Sequence, residues 1–104
     1  MPKARRGEIW LADLGMMAKV RPVMVLSVEY YDKERAVVSY VLRTTSIRGT
    51  RFEVLQQQHG MPAGAFDAQG IGSIPDVKLE RRLGVADLET LAKVEAAVRS
   101  WLAL

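Results

Sequence analysis

Apolar residues come first in short runs and last at helical spacing. Ile9 to Leu14 forms one compact run behind Gly7, and Val23 to Val28 forms a second, introduced by Val20-Arg21-Pro22. Runs of this length between breaker residues predict two neighbouring strands, with 15–19 as their connection. Proline has no amide hydrogen for a ladder, so Pro22 belongs at the start or on an edge of its strand, and Arg21 stands at the mouth of a β-structure. Ala36 to Leu42, rich in β-branched residues, predicts a strand that ends at Arg43-Thr44-Thr45-Ser46. Between these runs Glu29 to Arg35 is charged and without an apolar stripe, and reads as a loop or turn. Arg48-Gly49-Thr50 predicts a turn, Arg51 to Gln56 a strand alternating around Phe52 and Val54, and 57–64 a loop with Gly60, Pro62 and Gly64. Ala65 to Ile74 predicts a short final strand whose Gly70 and Gly72 mark a bulge or a close approach of backbone.

Beyond Pro75 the pattern changes. Asp76 is placed to cap a short helical stretch over Val77 to Leu83, stopped by Gly84. From Asp87 the period is helical: Leu88, Leu91, Val94, Val98, Trp101 and Leu102 recur at spacings of three and four, with Glu95 and Arg99 paired on another face. This predicts an amphipathic helix of about four turns lying on the sheet. Five or more short strands with two helices predict a mostly β single domain over residues 1–104.

Composition narrows the chemistry. With no cysteine among 104 residues, disulfides, thiol nucleophiles and cysteine-ligated zinc are excluded. No apolar run approaches the roughly 18 residues of a membrane span, and the N-terminus lacks the apolar core of a signal peptide, so a soluble, cytoplasmic protein is expected. Through Phe52 the chain holds ten Lys/Arg against five Asp/Glu, and from Glu53 onward five against seven. That asymmetry describes either a solvated surface or a basic face toward a polyanion. His59 is the one histidine, so a two-histidine mechanism is excluded within one chain, and no acidic or histidine cluster has metal-ligand spacing. Trp10 suits either core packing or base stacking, and three hydroxyls after a strand suit either a polar strand end or a site.

Gly7-Glu8-Ile9-Trp10-Leu11-Ala12-Asp13-Leu14 followed by Arg21-Pro22-Val23-Met24-Val25-Leu26-Ser27 resembles the opening of the MazF/PemK/Kid family of toxin endoribonucleases. Arg43-Thr44-Thr45-Ser46-Ile47-Arg48-Gly49-Thr50-Arg51-Phe52-Glu53-Val54 is similar to that family's Thr-Thr/Thr-Ser segment and its Gly-x-x-Phe-Glu-Val ending, and a weaker likeness covers 69–84 and the last helix. The resemblance implies a small SH3-like β-barrel with a C-terminal helix. It implies a type II toxin that cleaves single-stranded RNA without metal or other cofactor, a homodimer, and a small acidic MazE-like antitoxin. It places the catalytic pair at Arg21 and Thr44, with Thr45 as the alternative register. Ser46, Asp67 and Gln69 become candidate supporting residues, and Lys19, Arg43, Arg48 and Arg51 candidate RNA contacts.

The residue chemistry agrees with that assignment. RNA carries its own nucleophile, the 2′-hydroxyl, and what it needs from a protein is orientation and stabilisation of charge on the phosphate oxygens. An arginine fork and a hydroxyl donor suit that charge. Arg21 would bind the scissile phosphate and protonate the leaving 5′-oxygen while Thr44 donates to a non-bridging oxygen, leaving a 2′,3′-cyclic phosphate and a 5′-hydroxyl. Arginine, with a pKa above about 12, is a poor proton acceptor, and the base is unassigned. The chain departs from the family in its short first loop, which lacks the Glu-Gln-x-Gly element that relatives often carry, and in Phe66-Asp67-Ala68-Gln69, where some relatives use Arg-x-Asp-Gln. Met16, Met17 and Trp101 are candidates for a dimer contact. Two other readings use the same fold: a non-catalytic toxin of the CcdB type, and an RNA binder without catalysis.

Overall fold

The computed structural model describes residues 4–15 and 19–104; Met16 and Met17, expected at a dimer contact, lie outside the described residues. Strands β1 (Glu8–Asp13) and β2 (Val20–Val25) form the first antiparallel pair, with Ile9 opposite Met24 and Asp13 opposite Val20. The Leu14 amide donates to the Lys19 carbonyl at 2.8 Å and closes the connection between them. Four further strands follow: β3 (Val37–Thr44), β4 (Glu53–Gln56), β5 (Gly64–Pro75) and β6 (Leu79–Val85). They join one sheet in the order β4-β5-β3-β2-β1-β6, and helix α1 (Leu88–Leu102) ends the chain. The expected mostly β small-barrel architecture is present as a six-stranded sheet left open between β4 and β6. Pro22 stands third in β2, and pairing of β2 with β3 begins only at the next residue, Val23. Among the described residues no helix is long and apolar enough to cross a membrane.

Both faces of this sheet are covered, and strand alternation divides the core accordingly. Trp10, Ala12, Val23, Val25, Val38 and Leu79 pack together on one face. Ile9, Met24, Val41 and Phe66 point the other way, where Val94 of α1 joins them and Leu91 and Val98 flank them. Trp10 is thus a core residue. The helix begins at Asp87, whose carboxylate accepts the Thr90 amide at 2.7 Å, and its apolar stripe runs past what the sheet covers, leaving Leu88 and Leu102 exposed. Glu95 pairs with Arg6 of the basic N-terminal segment rather than with Arg99, and Arg6 also donates to the Leu26 carbonyl.

The stretch expected as a second helix is a strand. Only Asp76–Lys78 makes a turn of 3₁₀ helix, and Asp76 does not cap it; its carboxylate accepts the Tyr30 hydroxyl. Leu79–Val85 instead pairs antiparallel with β1. Leu, Glu and Arg favour helix locally, but β1 would otherwise offer an open row of backbone donors and acceptors, and β6 satisfies it. A register shift between Leu11 and Ala12 turns β6 over, so Leu79 joins one core and Leu83 the other. β5 is long rather than short, and not the last strand. Its partner on β3 jumps from Ile71 at Val41 to Asp67 at Leu42, which is the bulge expected near Gly70. A Cβ at Gly70 would lie 3.1 Å from the Leu42 side chain, and one at Gly72 2.6 Å from the Tyr40 hydroxyl.

Phe66 is fully buried between β3, β4 and the helix-covered core. Phe66→Ala is expected to destabilise the fold by about 3–5 kcal/mol in urea denaturation, since it removes an aromatic ring from a close-packed site.

Candidate functional site

Strand parity decides which polar side chains can meet. The pairing of β2 with β3 runs from Val25 opposite Tyr40 to Val23 opposite Leu42, and extending it by two residues sets Arg21 opposite Thr44. Leu42 in turn faces Asp67 on β5, and Asp67 faces Glu53 on β4. Arg21, Leu42, Thr44 and Asp67 therefore line one hollow of about 430 Å³ at the end of the sheet. The segment after β3 adds Ser46 and Arg48, Glu53 and Gln69 close two sides, and Trp101 reaches in from the last turn of α1.

Local hydrogen bonds fix the polar groups and determine what each has left to offer. The Thr44 hydroxyl oxygen accepts the Ser46 amide at 3.0 Å, which leaves its hydrogen to donate elsewhere. Asp67 accepts the Gln69 amide at 3.0 Å through Oδ1, pinning the bulge of β5. Glu53 is committed more fully: Oε1 accepts the amides of Arg48 and Thr50 at 3.1 and 2.9 Å, and Oε2 accepts Arg48 at 3.1 Å. These amide donors, that of Thr50 foremost, hold its carboxyl below the usual glutamate range. The 46–52 segment is thereby folded over a charge.

Most of the residues picked out in the sequence meet here, and several do not. Arg21, Thr44, Ser46, Asp67, Gln69 and Arg48 share the hollow. Thr45, the alternative register, is exposed and does not line it. Lys19 is exposed beside the hairpin connection, and the Arg51 guanidinium lies 4.5 Å over the Phe52 ring. His59 is exposed in its loop, away from the hollow.

Arg43, named from the sequence as a candidate RNA contact, is buried inside the fold instead. It is only 3% exposed, its Nε donates to Gln56 Oε1 at 2.9 Å, and its Nη2 donates to the carbonyls of Gln56 and Pro62 at 3.1 and 2.8 Å. Burial lowers the pKa of its guanidinium. As the odd neighbour of Thr44 on a strand, Arg43 points to the opposite face, a signal that parity alone carries. Glu53 and Trp101 were missed as site residues. An acid directly after a Gly-containing turn is a legible acceptor for that turn's amides, but nothing local tells that the end of α1 reaches the end of β3.

Comparison with solved structures places this fold in a known class. An endoribonuclease from a mycobacterial species superposes with a TM-score of 0.83 at 24% identity, covering 100% of this chain and 95% of that one. A mycobacterial endoribonuclease in complex with its cognate antitoxin gives 0.84 at 25% identity, covering 97% and 96%. A MazE-MazF complex from Deinococcus radiodurans gives 0.82 at 22%, covering 97% and 96%. No curated protein matches the sequence significantly. The profile of the PemK-like, MazF-like toxins of type II toxin-antitoxin systems matches residues 5–102, and the chain belongs to that family.

Two outcomes separate support from chemistry. Arg43→Ala is expected to cost about 2–4 kcal/mol of stability in urea denaturation, because it removes three charge-assisted bonds from a buried guanidinium and leaves a cavity where that side chain stood. Glu53→Gln is expected to lower the melting temperature at neutral pH. A carboxyl depressed in the fold stabilises it above its ordinary pKa of 4.5, and loses that contribution as pH falls through the lower folded value. The difference between the two proteins should therefore shrink below that pH and vanish once the folded carboxyl is protonated.

Proposed function

We propose that this chain is a toxin that cleaves single-stranded RNA through the RNA's own 2′-hydroxyl, without a metal. The observation that carries this reading is the meeting of Arg21 and Thr44 in one hollow, with the Thr44 oxygen already satisfied by a backbone amide. In this reading Arg21 grips the scissile phosphate and Thr44 donates to a non-bridging oxygen, so charge that grows there meets prepositioned donors. The attacking 2′-oxygen bonds to phosphorus and the bond to the 5′-oxygen breaks, giving a 2′,3′-cyclic phosphate and a 5′-hydroxyl.

The proton on the 2′-oxygen needs an acceptor. Of the two carboxylates in the hollow, Glu53 has both oxygens engaged by backbone amides, whereas Asp67 has one oxygen engaged in the bulge. Asp67 is therefore the general base; Arg21 donates a proton to the leaving 5′-oxygen, and transfer of the proton held by Asp67 back to Arg21 through solvent restores both groups. Among the described residues no group of three or more His, Cys, Asp or Glu is arranged to hold a metal ion, and this proposed step routes through none. Arg48 and Arg51 extend the positive track for neighbouring phosphates. The endoribonuclease with its cognate antitoxin and the MazE-MazF complex among the structural relatives support the nuclease reading and a cognate antitoxin. In the same reading the protein is a cytoplasmic homodimer held in check by an antitoxin whose acidity complements the basic N-terminal half.

With EDTA present, the purified protein is expected to cut a long single-stranded RNA at discrete places, leaving 5′-hydroxyl ends. Arg21→Ala should abolish the cuts. Thr44→Ala should slow them by about 10²–10³-fold, as expected for loss of one donor to the developing charge. Intact RNA from folded wild-type protein would refute the reading. Arg48→Ala and Arg51→Ala should each reduce the salt slope of RNA binding by roughly 0.7.

A further inference from the structure

We propose that Trp101 is a stacking platform that seats a nucleobase of the RNA beside the Arg21–Thr44 pair, with Gln69 at the rim reading that base's edge. The inference rests on the ribonuclease reading above and names how the site selects its substrate. The two tryptophans have different fates: Trp10 is 8% exposed within the core, and Trp101 is 42% exposed on the wall of the hollow. Yet Trp101 is not a loose surface side chain. Its ring meets Phe52 edge-on, with centroids 5.2 Å apart and planes at 64°. Phe52 is buried with Ala68 and Ala97, and Arg51 lies against its ring. A fixed aromatic residue thus supports an indole whose remaining surface faces an otherwise polar recess.

The recess suits one nucleotide with its phosphate at the arginine end. Its volume of about 430 Å³ lies within the usual range for small-ligand sites. A flat apolar wall beside a cation and a hydroxyl matches the two halves of a nucleotide, since every base has a π-face to stack while its phosphate needs donors. Gln69 is exposed on the same recess and offers both an amide donor and an amide acceptor, the combination that hydrogen-bonds to base edges in single-stranded RNA. Stacking supplies affinity without discriminating strongly among bases, so selectivity falls to Gln69.

The test uses random-sequence single-stranded oligonucleotides with 2′-fluoro riboses, which lack the nucleophile and stay intact. Titration into wild-type protein should quench tryptophan emission, while Trp101→Phe should bind within a few-fold of wild type and show no quench from the buried Trp10. Trp101→Ala should bind about tenfold more weakly or worse. On ordinary RNA it should raise KM more than it lowers kcat, and Gln69→Ala should redistribute the cut sites. Equal binding by wild type and Trp101→Ala would overturn the proposal while leaving the nuclease reading intact. So would a loss that coincides with a changed oligomeric state in sedimentation, which would assign the indole to packing between copies. Failure of wild-type protein to bind or cut RNA at all would instead remove the underlying reading.

Discussion

Burial on both faces of the sheet constrains everything else in this molecule. A strand with one wet face can place a polar residue at every second position, but β2 and β3 are covered by one core on one side and by α1 on the other. Polar side chains are then tolerated only where a core runs out or where all their bonds are made within the fold. Arg21 and Thr44 take the first course, at the end of the sheet beyond Val23 and Leu42. Arg43 takes the second, one residue from Thr44 and on the opposite face, with its donors bound to Gln56 and Pro62.

The same constraint sorts the anionic and hydroxyl groups around the hollow. Glu53 is an architectural charge, because two turn amides engage both of its oxygens and hold the segment that carries Ser46 and Arg48. Thr44 and Asp67 each give one lone pair to a backbone amide, and each keeps further capacity. A side chain oriented in this way loses little rotamer freedom when a ligand arrives, which is the physical content of preorganisation.

Sheet edges explain the largest departure from local propensity. Lys78 to Arg82 has the composition of a helix, yet it pairs with β1, which satisfies the outer backbone groups of β1 and buries Leu79, and the open edge of the sheet passes to β6. That pairing brings Leu79 beneath the hairpin that carries Arg21. The bulge in β5 acts similarly on the other side of β3, setting Asp67 opposite Leu42 and turning Gln69 into the recess.

Much of this was legible from residue order. Short apolar runs, Arg-Pro at a strand mouth, glycines at a bulge and a final helical period are local patterns, and local patterns fix five strands and the helix, while the candidacy of Arg21 and Thr44 came from the family resemblance. Parity along β3 also sends Arg43 away from Thr44, a signal that naming Arg43 among the candidate RNA contacts did not use. The state of 79–85 was not legible, because its helical propensity loses only to an edge created elsewhere in the chain. Nor was the use of Glu53 or Trp101, since which carboxylate is saturated, and which end of a helix reaches which end of a strand, follow from contacts between residues far apart in sequence. Sequence by itself determined every element but β6 and the chemistry available to them; tertiary structure decided the state of 79–85, which groups were spent on holding the fold and which were left facing the hollow.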